Sequence, residues 1–171
     1  MSDIYHCVEK DSDYQKIVNH ILQNEEFNKL KNIEHHGLTR YDHCLKVSYY
    51  SYKVAKALKL EYKEVARGGL LHDFFLSEDE RTNKERFLSI FTHPKKAEKK
   101  ACECFELSER ECDIIRSHMF PINFTVPKYL ESWTVNLVDK SVGTYEFLKK
   151  FKKQLAYSMN IWVLMFVSFF K

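Results

Sequence analysis

Glycine and proline are scarce in this chain, whose 171 residues include four of the first and three of the second. So few turn-forming residues exclude long loops and many-turned β architectures. The five cysteines include no C-x-x-C pair, and their odd number does not suit a disulfide framework. No basic-then-apolar signal segment follows Met1. We therefore expect free thiols, a reducing cytoplasmic location and a single domain over residues 1–171.

Charge of one sign is not in excess either, because the net charge is only +3. Short lysine clusters at 95–100 and 149–153 are typical of solvated helix faces, so no specific nucleic-acid partner is expected. The longest apolar run, IWVLMFVSFF at 161–170, is about half of what a bilayer-spanning helix requires. We expect no membrane span. We interpret the apolar tail 156–171 as a core helix or as a contact with a partner or a second copy, in preference to a contact with a membrane.

Apolar residues recur at steps of three and four, and no convincing run alternates as strands do, which predicts an all-α fold. We place helices over 11–31, from Thr39 to about Leu60, over 61–75, from Pro94 to about Phe105, from Ser108 to about His118, and after Pro127. The loop 31–40 and a polar loop or short helix over 77–92 separate these segments.

Three features within the helices carry further predictions. The second helix should bury a stripe of Val47, Tyr50, Val54 and Leu58. Adjacent glycines, Gly68 and Gly69, lie within the third helix, where they would permit the close approach of another backbone. Ser108 with Glu111 makes a capping box.

Six histidine and aspartate residues lie at apolar or helix-terminal positions where polar side chains are costly. They are His43, His72, Asp73, His93, His118 and Asp139. A single histidine in such a place is usually a satisfied core residue. Six of them on several helices favour a metal site, because imidazole and carboxylate are common ligands and helical bundles project ligands inward.

The adjacent pair His72-Asp73 has two interpretations. It can be an ordinary hydrogen-bonded pair at a helix end, or both side chains can converge on a metal ion there. Successive residues point about 100° apart on a regular helix, so convergence requires the helix to end. A carboxylate has two oxygens and can serve two ions at once.

The order His43, His72-Asp73, Asp139 resembles the HD-domain superfamily of metal-dependent phosphohydrolases, named for the His-Asp pair. RYDHCLKVSYYSYKVAKAL and ARGGLLHDFF resemble its two N-terminal helices in bacterial members. THPKKAEKKACECF and IIRSHMFP resemble the extra histidine segments of the subgroup that holds two metals. The resemblance covers roughly residues 35–150. This chain has HDFF where many relatives have HDIG, which weakens assignment to the cyclic-dinucleotide branch.

The resemblance implies an HD-domain-like helical bundle with two divalent ions, Fe or Mn in preference to others. It assigns His43, His72, Asp73 and Asp139 to one metal and His93 and His118 to the second, with Asp73 bridging. A metal-activated water would then attack a phosphate ester or anhydride of a nucleotide or another small molecule.

Basic residues near the ligands would bind the phosphate oxygens, and Arg40, Lys140 and His36 are the candidates. Two other functions remain open. A minority of proteins with this fold use the same six ligands as di-iron oxygenases, and the chain could also be a non-catalytic metal-binding module whose apolar tail recruits a partner.

Overall fold

The computed structural model describes residues 2–35, 38–76 and 83–169, with side chains described over 4–33, 38–76 and 91–158. Its α-helices are Ser2–Lys10 (α1), Ser12–Leu22 (α2), Glu25–Asn28 (α3), Arg40–Ala57 (α4), Tyr62–Leu71 (α5), Asn83–Cys104 (α6), Glu109–Ser117 (α7) and Leu130–Phe169 (α8). A 3-10 helix, Lys29–Asn32, follows α3. Strands Glu34–His35 (β1) and Leu38–Thr39 (β2) form a two-residue antiparallel ribbon. The prediction of an all-α fold is confirmed.

Local caps divide the N-terminal region, where the prediction of one helix over 11–31 is wrong. The Asp11 side chain accepts a hydrogen bond from the Tyr14 amide and so begins α2. Asn24 accepts one from the Phe27 amide in the same way and begins α3. Side chains that form hydrogen bonds with nearby backbone groups can end one helix and begin another. The hydropathy pattern does not predict these capping hydrogen bonds. Helix α1 was not predicted.

Helix α4 begins where the sequence predicts. Thr39 accepts from the Asp42 amide, and the Asp42 carboxylate accepts from the Thr39 amide, which completes a capping box. The predicted apolar stripe is wrong at three of four positions, because Tyr50, Val54 and Leu58 are 47%, 40% and 61% exposed.

Hydroxyl-bearing residues occupy much of the buried face of α4 instead. Ser48 donates to the Ala66 carbonyl at 2.6 Å and accepts from the Tyr14 hydroxyl at 2.7 Å. Because these hydrogen bonds satisfy the Ser48 hydroxyl group, this polar side chain can lie on the buried face of α4.

The two adjacent glycines put α5 in close contact with helices on both sides. A Cβ atom on Gly69 would lie 3.2 Å from the Ser48 Cα atom of α4, and one on Gly68 would lie 2.9 Å from Ile114 Cγ2 of α7. The predicted close approach of another backbone is confirmed at Gly69. Helix α5 therefore lies between α4 and α7 and ends at His72.

Pro94 lies inside α6 and does not begin it, so the predicted helix start is wrong. Within the segment expected to be a loop or short helix, residues 83–92 are helical, and residues 77–82 lie outside the described part of the chain. Proline in a helix interior costs a backbone hydrogen bond. The part of α6 that follows Pro94 is held in the core by the buried residues Ala97 and Ala101.

The last two helices follow the prediction closely. Ser108 and Glu111 form the expected capping box of α7, which ends at Ser117. Helix α8 has 40 residues and a length of about 60 Å. Among the described residues, no helix is long and apolar enough to cross a membrane.

Candidate metal centre

The end of α5 aims one histidine nitrogen inward. His72 follows the last residue of the helix and is fully buried. Its Nδ1 lies 2.8 Å from the Gly69 carbonyl oxygen, which can only accept, so Nδ1 carries the proton. The lone pair is then on Nε2, which is 3.6 Å from Asp139 Oδ1 and 4.0 Å from Asp73 Oδ2.

The end of α7 repeats this arrangement at His118. Its Nδ1 donates to the Ile115 carbonyl oxygen at 2.7 Å, which again leaves the lone pair on Nε2. Burial, assisted by neighbouring His72, lowers the pKa of His118 to about 3. The imidazole is therefore neutral at neutral pH, which is the form that binds metal ions.

Asp73, His93 and His118 form one compact group of potential ligands. Asp73 Oδ1 lies 3.4 Å from His93 Nε2 and 3.5 Å from His118 Nε2, and the two Nε2 atoms are 3.0 Å apart. All three residues are buried, and their ligand atoms lie within 4.8 Å of one another. The Phe75 ring stacks on His93 with centroids 5.3 Å apart.

His43, His72 and Asp73 form a second group with the same spacing of ligand atoms. His43 comes from the first turns of α4, and its Nε2 is 3.0 Å from Asp139 Oδ1 on α8. Burial by itself would raise the pKa of Asp139, but the hydrogen bond to His43 and the nearby His72 hold it well below its usual range. The structure thus brings all six sequence-predicted residues together, and Asp73 belongs to both groups.

Glu146 is a buried carboxylate of this centre that the sequence analysis did not identify. Its Oε2 is 2.9 Å from His43 Nδ1, and its Oε1 accepts from the Lys46 ammonium at 2.7 Å. Glu146 lies seven residues after Asp139, two turns along the same face of α8, and that spacing was the available signal.

Two carboxylates therefore flank the His43 ring. Burial opposes protonation of His43, but hydrogen bonds to Asp139 and Glu146 outweigh it and raise its pKa to about 10. Carboxylates that bond the second ring nitrogen of a histidine commonly orient it toward a metal.

Side chains of α8 also fix the turn that carries His118. Asn136 donates to the carbonyl oxygens of His118 at 2.7 Å and Phe120 at 2.9 Å. Lys140, one turn further along α8, donates to the same His118 carbonyl at 3.0 Å. No pattern in the sequence singles out Asn136.

The three predicted phosphate-binding residues differ in how far they are buried and in whether the structure describes them. Arg40 is buried, with its guanidinium 3.9 Å from the centre of the Phe75 ring and its Nη1 donating to the Phe75 carbonyl at 2.7 Å. Lys140 is partly buried, and burial lowers its pKa although Asp139 opposes the shift. His36 lies outside the described residues.

The donor set fits divalent metal ions. Buried His72 Nε2 makes no hydrogen bond to any described residue, and a buried polar atom is costly unless something satisfies it. Four imidazoles and two carboxylates suit Mn, Fe or Zn. The residues present could therefore hold such ions around Asp73.

Comparison with known proteins agrees with this geometry. No curated protein and no solved structure matches the chain. A family model described as HD domain matches residues 40–144, and this range contains all six clustered residues. Members of the HD domain family are often metal-dependent hydrolases. Since the match covers more than half of its residues, the chain belongs to the HD domain family.

Proposed function

We propose that this protein is a metal-dependent phosphohydrolase that holds two divalent ions, Fe or Mn, and acts on a phosphate ester or anhydride of a nucleotide or another small molecule. The observation that carries this proposal is the position of Asp73. Its Oδ1 faces His93 and His118, whereas its Oδ2 faces His72. One carboxylate thus offers a different oxygen to each group of imidazoles, as a bridging ligand does.

The two ions would supply a water that is acidic enough to ionise near neutral pH and positive charge for the phosphate oxygens. The chain contributes the position of each ligand. His72 and His118 are held by backbone carbonyls at their own helix ends, and His43 by Glu146. These fixed rings need little reorganisation when the ligands assemble.

Lys140 and Arg40 are the proposed contacts for phosphate oxygens. The Lys140 ammonium uses one of its three protons on the His118 carbonyl and has two left for an anion. Of the described cysteines, Cys44 lies beside His43 in sequence but is fully buried, which disfavours a thiol nucleophile and favours attack by water.

The test is metal content and phosphate release measured on the same preparations. The chain is loaded with Mn²⁺ or Fe²⁺ without oxygen and assayed with p-nitrophenyl phosphate and with nucleotides. We expect two ions per chain and phosphate release that disappears when the metal is removed.

Single alanine variants assign the ions to the two groups. His118→Ala should lose about one ion per chain, and His43→Ala should disrupt the other group, each with loss of phosphate release. His6→Ala, which removes an exposed histidine of α1, is the matched control. Oxygen uptake with iron and no phosphate release would replace the proposal with an oxygenase, and bound metal with neither activity would replace it with a binding module.

A further inference from the structure

The second half of α8 leaves the folded body of the protein. Glu146 is the last buried residue of the described part of the helix, and every side chain from Phe147 to Ser158 is exposed. The helix nevertheless continues to Phe169. From Phe147 onward its length is about 35 Å.

This projecting helix has one apolar face. At 100° per residue, Phe147, Leu148, Phe151 and Leu155 fall within an arc of about 100°. Each of the four is at least 50% exposed. An apolar stripe of this width is typical of a helix face that packs against something else.

The opposite face is basic. Lys149, Lys152 and Lys153 occupy an arc that begins beyond Leu148 and lies opposite the apolar stripe. All three are exposed. The helix is thus divided lengthwise into an apolar side and a cationic side.

Charge is strongly concentrated in this segment. Residues 147–171 contain five lysines and no aspartate or glutamate. Because the whole chain has 27 basic and 24 acidic residues, residues 1–146 have 22 basic and 24 acidic ones. The entire positive excess of the protein therefore lies in residues 147–171.

We infer that residues 147–158 of α8 form a docking surface for an anionic lipid bilayer. A helix with lysines on its polar face and aromatic and aliphatic residues on the other is suited to lie in the headgroup layer. Its apolar side chains enter the acyl boundary while the lysines meet lipid phosphates and carboxylates. The apolar run 161–170 is too short to span the bilayer.

Charge also argues against the other partners for this surface. Pairing of this helix with a second copy through the apolar stripe would leave both rows of lysines in water, and the segment has no carboxylate to neutralise them. Nucleic acid would engage the lysines and leave the apolar stripe in water. An anionic membrane satisfies both faces of the helix at once.

Co-sedimentation of the full chain with vesicles tests the inference. We expect binding to phosphatidylcholine vesicles that contain phosphatidylserine, weaker binding to phosphatidylcholine alone, and release by added salt. The variant K149Q/K152Q/K153Q should weaken binding to the anionic vesicles by about 100-fold.

A second triple variant provides a matched control for charge. K95Q/K96Q/K99Q removes the same number of exposed lysines from α6 and should leave vesicle binding almost unchanged. Equal losses in the two triple variants would overturn the inference, because attraction would then depend on net charge and not on this helix.

The apolar stripe is tested by F151S/L155S, which keeps every lysine. We expect at least about tenfold weaker vesicle binding, with helical content and metal content unchanged because both side chains are more than half exposed. Absence of vesicle binding by the unaltered chain would overturn the inference. If the unaltered chain binds no vesicles but forms a dimer that F151S/L155S dissociates, the apolar stripe is an interface between two copies of the chain, and the inference is overturned.

Discussion

A double-mutant cycle on α8 gives a sharp test of how the His118 turn is held. Asn136 and Lys140 both donate to the His118 carbonyl oxygen, at 2.7 Å and 3.0 Å, and Asn136 donates in addition to Phe120. Each single change, Asn136→Ala or Lys140→Met, leaves the His118 carbonyl with one donor. Only the double variant removes both.

The expected magnitudes follow from these contacts. Lys140→Met removes one hydrogen bond of a partly buried group and should cost about 1 kcal/mol in the free energy of unfolding. Asn136→Ala removes the hydrogen bonds to the Ser117, His118 and Phe120 carbonyl oxygens in a buried site and should cost about 2–3 kcal/mol. The double variant should exceed the sum of these costs by about 1 kcal/mol, because the His118 carbonyl then loses every side-chain donor seen in the structure.

Urea denaturation of the metal-free protein, followed by circular dichroism, measures the four free energies of the cycle. A parallel cycle with Asn123→Ala and Lys140→Met is the matched control. Asn123 donates to the Arg116 carbonyl at 3.0 Å and does not share an acceptor with Lys140. Its cycle should therefore be additive.

An additive result for Asn136 and Lys140, within about 0.5 kcal/mol, would refute this reasoning. It would mean that the His118 carbonyl finds another donor, such as water, when both side chains are removed. The same variants also report on function, since a looser turn should weaken metal binding at His93 and His118 more than at His43.

Three further changes test local features. Gly69→Ala should destabilise the fold by about 1–3 kcal/mol, because the added Cβ atom would lie 3.2 Å from the α4 backbone. Gly143→Ala has no atom within 4 Å of the added Cβ and should stabilise the fold by about 0.5–1 kcal/mol. Thermal unfolding measures both variants, and equal effects would contradict the prediction. Ser108→Ala should cost about 1 kcal/mol in urea denaturation through loss of the α7 cap, and no change would mean that the cap is redundant. Glu146→Gln should lower the pKa of His43 from about 10 in the metal-free protein, which NMR titration measures, and an unchanged pKa would contradict the pairing of His43 with Glu146. Because the pKa of His43 in the folded protein lies above its ordinary value of 6.5, the ion pair stabilises the fold fully below pH 6.5, and this stabilisation is lost as the pH rises through 10.

Local chemistry made several features predictable. Thr39 and Ser108 begin helices because their side chains accept hydrogen bonds from amides three residues ahead. This interaction depends only on residues that are neighbours in the sequence. Proline gave a weaker signal, because Pro94 is compatible with a helix start but lies inside α6.

The identities of the six clustered residues could also be inferred from the sequence. A histidine or aspartate at an apolar or helix-terminal position is costly without a partner, so six such positions indicate a shared site. Their distances could not be inferred. Four different helices carry the other ligands at or near their ends or within them, namely His43, His93, His118 and Asp139. The spacing of these residues along the chain does not predict how their helices pack.

Glu146 and Asn136 show the opposite case. Glutamate and asparagine are common on exposed helix faces, so neither residue stands out in the sequence. Glu146 becomes recognisable only when folding places it against His43, 103 residues away, and Asn136 only when α8 lies across the end of α7. The buried face of α4 was mispredicted for a related reason, because hydrogen bonds across helices allow Ser48 to be buried.

The sequence alone determined the helical class, the capped helix starts, the His-Asp pair at a helix end and the segregation of charge and apolar residues after Glu146, because each depends on residues within a few turns of one another. The tertiary structure decided which oxygen of Asp73 faces which histidines, which carboxylate orients His43 and which face of α4 is buried. These properties depend on the packing of helices far apart in the chain, where contacts of a few ångströms select among arrangements that local interactions leave equally open.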